Sequence, residues 1–170
     1  MSARHLIGRF FGSLVPYGPS KADTRWATEH LLDSEVDLWR RMARPDRRHS
    51  IGVARRLLDS MPEAPREVVA AALMHDVGKL DSDLGTFHRV VATLSAKIAG
   101  RETAELWVRS TGITRRIGLY LKHPEIGGDL LEMAGSDSLT VAWTREHHLP
   151  EDQWSVAPNF AQALDAADND

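Results

Sequence analysis

Cysteine is absent from the 170 residues. That excludes a disulfide framework, thiolate metal sites and cysteine nucleophiles, and it fits a reducing, cytoplasmic setting. A positive charge balance is also missing. Lys and Arg number 21 against 24 Asp and Glu, a formal net charge of −3. No global basic field exists for a nucleic-acid polymer. Long apolar runs are missing too. The longest, VVAAALM at 68–74, is far short of the roughly 20 residues needed to span a bilayer. The opening stretch, MSARHLIGRFFGSLVPYGPS, has no uninterrupted apolar core, so no secretory signal is expected. No acidic residue precedes Asp23, and Leu6, Ile7, Phe10, Phe11 and Leu14 recur at helical spacing. Residues 1–19 therefore read as a basic amphipathic helix and linker. Its apolar face either covers its own domain or meets a membrane or protein partner weakly.

Strand alternation is scarce, and there is no repeat, low-complexity tract or interdomain linker. Helical periodicity dominates. Pro16, Gly18 and Pro19 break the chain, and Ser20 suits a helix cap. Helices are predicted near 21–32, 34–43, from Pro45 to about 60, and 66–75, with MPEAP at 61–65 as a loop. After Gly85, Phe87, Val90, Val91, Leu94 and Ile98 form another apolar stripe. Further helices are predicted near 102–109, 113–122, 124–134, 138–147 and 159–168. The expected fold is an all-α, single-domain bundle occupying residues 20–170.

Histidine and aspartate are where the chemistry gathers. ALMHDVGKLD at 72–81 runs an apolar helix into His75 and Asp76. Neighbouring helical residues point about 100° apart, so the pair can grip one ion only where a helix ends. Gly78 is expected to end it in the left-handed conformation. A helix C-terminus favours a cation, an aspartate can bridge two, and Lys79 suits a phosphate. RRHSIGVARRLL at 47–58 places His49 early in a helix. KHPEIGGDLLEMAG at 122–135 puts His123 at a kink before Pro124. TREHHLP at 144–150 closes a helix with His147 and His148, and ALDAADND at 163–170 offers Asp165 and Asp168. Each motif alone also fits a capping, solvated or core residue. The same holds for Arg115, Arg116 and Arg145 as phosphate contacts and for Trp143 as a base-stacking ring. His5, His30 and His88 have no motif company.

Taken in order, DRRHSIGVA, LMHDVGK, HPEIGGDLL, REHH and LDAAD resemble the HD-domain superfamily of metal-dependent phosphohydrolases, over roughly residues 35–168. HDVGK, HPEIG and HH come close to the HD-GYP branch, which cleaves cyclic-di-GMP. The GYP segment is missing, and HHLPEDQWSVAP stands there instead. Pro45 occupies a position that carries an extra acidic ligand in some related sites, so a third metal is not expected. The resemblance implies one ion on His49, His75, Asp76 and Asp168. It implies a second on Asp76, His123 and His147, with His148 ligating or near substrate. Asp168 is preferred to Asp165 because small residues, Ala166 and Ala167, precede it. A metal-activated hydroxide would attack a phosphomonoester or phosphodiester, such as a nucleotide or related small molecule. Asp76, Lys79 and His148 would be the catalytic residues, with Lys79 on a phosphate oxygen and His148 as proton donor. His and Asp together suit Mn, Fe, Zn, Co, Ni or Mg. The alternative is a non-catalytic signalling or ligand-binding module of the same fold that retains metal.

Overall fold

The computed structural model describes residues 17–82 and 104–169. The expected helix within residues 1–16 and the stripe from Phe87 to Ile98 lie outside these residues, as do His5 and His88. Among the described residues the chain is helical and has no strand. No helix there is long and apolar enough to cross a membrane.

Helix α1 (Lys21–Thr28) begins at Ser20, whose hydroxyl accepts from the Asp23 N–H at 3.0 Å while Asp23 reaches back to the Ser20 N–H. That reciprocal pair satisfies two donors that would otherwise lack partners. Helix α2 (Asp33–Arg41) is entered through Glu35, which is fully buried and accepts from the Leu32 N–H at 2.8 Å. Arg66 balances its charge from 3.3 Å. Helix α3 (Arg44–Ser60) has Pro45 in its first turn, where a missing N–H costs nothing.

Helix α4 (Arg66–Met74) is the post around which the rest is arranged. Every residue from Val68 to Met74 is buried. A helix apolar on all sides must be surrounded, and the small side chains of Ala70, Ala71 and Ala72 let neighbours approach closely. The helix packs against α2, α3, α7 (Ser138–Glu146) and α8 (Pro158–Asn169). A 3-10 turn, Val77–Asp81, follows it and rests on α5 (Gly112–Leu121) and α6 (His123–Met133). A second 3-10 turn, Glu151–Gln153, joins α7 to α8.

Leu57 on α3 has no exposed surface and belongs to the core cluster. Leu57→Ala should cost about 2–5 kcal/mol through lost transfer energy and a residual cavity. Urea unfolding with an unchanged slope would report it. A loss under about 1 kcal/mol would contradict this core assignment.

Candidate metal centre

Five elements bring their polar residues to the buried end of α4. His75 and Asp76 close the helix, and each is about 1% exposed. His49 comes from the second turn of α3, His123 is the first residue of α6, His147 and His148 follow α7, and Asp168 lies in the last turn of α8.

The two oxygens of Asp76 face different neighbours. Oδ2 lies 3.5 Å from His75 Nε2, whereas Oδ1 lies 3.4 Å from His123 Nε2 and 4.0 Å from His147 Nε2. Asp168 Oδ1 lies 2.9 Å from His49 Nε2 and 3.7 Å from His75 Nε2. His49, His75 and Asp76 have ligand atoms within 4.8 Å of one another, and so do His123, His147 and His148. Asp165 turns instead to Asn169, whose amide donates to it at 2.9 Å.

The histidine tautomers follow from the backbone. Each of three rings places Nδ1 against the carbonyl three residues earlier. His75 meets Ala72 at 2.9 Å, His123 meets Tyr120 at 2.7 Å, and His147 meets Thr144 at 2.9 Å. A carbonyl only accepts, so Nδ1 carries the proton and Nε2 keeps its lone pair. All three Nε2 atoms are buried and have no hydrogen-bond partner. A buried acceptor without a donor is costly. Here three of them share one space with carboxylate oxygens, which are acceptors as well. A divalent cation could satisfy such a set, and holding Nδ1 on a carbonyl is one way that ligating imidazoles are oriented. With only nitrogen and oxygen donors, the set suits Mn, Fe, Co, Ni or Zn.

Electrostatics hold the groups in the metal-binding forms. Burial pushes the Asp76 carboxyl up, but the Lys79 ammonium beside it leads the influences that hold its pKa well below the usual range. Burial also holds His123 below its ordinary value, against the pull of Asp76. Burial and then His148 hold His147 well below it. Burial, then His123, pushes His148 down as well.

The sign for stability follows. Below the ordinary histidine value of 6.5 the unfolded chain takes up protons that folded His123 and His147 refuse. Metal-free protein should lose stability as pH falls through that value toward the folded pKa values, by up to about 1.4 kcal/mol per histidine per pH unit. Urea melts from pH 7.5 to 5.5 check this. A metal-free protein equally stable across that range would contradict the neutral assignments.

One expectation needs correction. Gly78 is not left-handed; among the described residues only Gly112 and Gly135 have positive φ. The chain leaves α4 at Asp76, with φ −98° and ψ 7°, and enters the 3-10 turn directly. Gly78 is needed for space, because a Cβ there would lie 1.9 Å from the His123 carbonyl oxygen and 2.6 Å from Gly127 N. The ammonium of Lys79, the residue expected on a phosphate oxygen, is paired with Asp76 Oδ2 at the mouth of the cluster.

The remaining candidates do not join the cluster. The Arg145 fork is held by Asp129 at 2.8 Å and Glu132 at 2.9 Å. Trp143 is a core residue against Trp154, and the His30 ring contacts the Trp26 carbonyl. Arg115 and Arg116 lie exposed on α5. Sequence reasoning missed the three orienting carbonyls, because backbone acceptors leave no residue signature. Comparison with protein-family models, curated proteins and solved structures finds no match.

Proposed function

We propose that the chain is a metal-dependent phosphohydrolase of the HD-domain type, acting on a small phosphoester at a two-ion centre. The observation that carries this reading is the set of three orphaned imidazole nitrogens around a carboxylate whose two oxygens face opposite halves. His49, His75, Asp76 and Asp168 would hold one ion, and Asp76, His123, His147 and His148 the other. When bound, two ions supply Lewis acidity toward a phosphoryl group and a water of lowered pKa.

The protein groups have separate tasks. Asp76 spans both halves, and Lys79 keeps it ionised. The three carbonyls fix the rings, so no reorganisation is required when substrate arrives. A neutral His148 fits the ligand role better than that of resting proton donor.

The test compares metal-stripped protein with protein reloaded with Mn, Fe, Co, Ni or Zn, using p-nitrophenyl phosphate and bis(p-nitrophenyl) phosphate. Reloading should raise hydrolysis of at least one by about a hundredfold or more, the range associated with disturbing such a centre. Stoichiometric binding without turnover of either ester would favour the metal-retaining binding module. Turnover indifferent to metal would overturn the mechanism.

A further inference from the structure

Helix α3 sends two side chains to the last turn of α8, and only His49 is a candidate ligand. His49 Nε2 lies 2.9 Å from Asp168 Oδ1. Arg56, further along α3, donates its Nε–H to the Ala167 carbonyl at 2.7 Å. The two residues are about two helical turns apart, so both side chains leave the same face of α3. They meet consecutive residues of α8.

Ala167 lies in the last turn of α8. Carbonyls there have no partner within the helix, and a cation beside them is favoured. The Ala167 side chain is buried in the core cluster, on one stripe with Ala161 and Leu164. A side chain in the core and a carbonyl held by an arginine fix both the rotation and the register of this turn. Asp168, the next residue, inherits that direction. Asp165 is occupied elsewhere, because the Asn169 amide donates to its carbonyl and to its Oδ1, both at 2.9 Å. The Arg56 donor is Nε, beside the aliphatic stem, and not the far end of the side chain that passes Gly52.

We infer that Arg56 is a positioning residue for the candidate metal centre. By holding the Ala167 carbonyl it aims the Asp168 carboxylate at the half built from His49 and His75. Arg56 acts through Asp168 and is not itself a ligand. The inference rests on the two-ion reading for the role of Asp168.

Metal-stripped protein would be titrated calorimetrically with cobalt(II) as parent, Arg56→Met, Asp168→Ala and the double variant. Methionine keeps an apolar stem and cannot donate. Arg56→Met should weaken one binding step about 10–100-fold, the range for losing a group that orients a ligand, and leave the other step unchanged. In the Asp168→Ala background the same substitution should leave the remaining binding unchanged, because the carboxylate it aims is gone. Arg56→Gln places an amide N–H where Nε stood and should bind within about threefold of the parent. Thermal midpoints confirm that the variants are folded. A residue that merely caps α8 would lower the midpoint with metal affinity intact, or weaken binding equally in both backgrounds. Either result, or an Arg56→Gln variant as weak as Arg56→Met, overturns the positioning role and leaves the two-ion reading standing. A parent that takes up no cobalt(II) overturns both.

Discussion

Alanine at position 76 should strip the chain of both ions and end hydrolysis. Among the described residues, Asp76 is the one whose side-chain oxygens face both halves, at 3.5 Å from His75 and 3.4 Å from His123. Its carboxylate also answers the Lys79 ammonium. Asp76→Ala therefore also removes the carboxylate paired with a largely buried cation, and some loss of stability accompanies the loss of metal. Asp76→Asn separates the two effects. It keeps shape and one acceptor oxygen but removes the charge, so the fold should survive with at least one ion lost. His148→Ala serves as the contrast, because the half built from His49, His75, Asp76 and Asp168 does not use His148. That variant should keep at least one ion. Metal counted per chain decides these cases, with circular dichroism as the check on folding. Full metal retention in Asp76→Ala would remove the bridging role.

Gly78→Ala should damage the centre without replacing any ligand. The added Cβ would fall 1.9 Å from the His123 carbonyl oxygen and 2.6 Å from Gly127 N. Both obstacles are backbone, and neither can swing aside. The 3-10 turn and α6 must separate, and that spacing sets the 3.4 Å approach of Asp76 to His123. Overpacking of this kind costs about 1–3 kcal/mol, and a displaced ligand geometry costs about 10–100-fold in metal affinity. Gly52→Ala is the matched control. Its Cβ would meet only the far end of Arg56, at 3.3 Å, within the helix α3. It should be neutral or stabilise the protein by up to about 1 kcal/mol. Calorimetric metal titration of both variants checks the pair. Equal affinity in Gly78→Ala and the parent would show that the two backbones are not held by this contact.

The same residue marks where sequence stops being informative. Ser20 as a cap, Pro45 in a first turn, the burial of 68–74 and the break around His123 are local matters of hydrogen bonding and periodicity, and they are legible as such. The requirement for glycine at position 78 is set by His123 and Gly127, far along the chain, so a local reading assigned it to helix termination. Asp165 and Asp168 sit one turn apart and are alike in composition. Only the packing of α8 on α3 puts Asp168 at 2.9 Å from His49. Lys79 was legible as a cation near the pair, but not as the partner of Asp76, because side-chain direction at a 3-10 turn does not follow helical periodicity.

The central claim is a two-ion centre, and metal content per chain tests it most directly. Elemental mass spectrometry on protein purified without chelator or metal resin should give about two transition-metal ions per chain. No stoichiometric metal, even after incubation with Mn, Fe or Zn, would contradict the account.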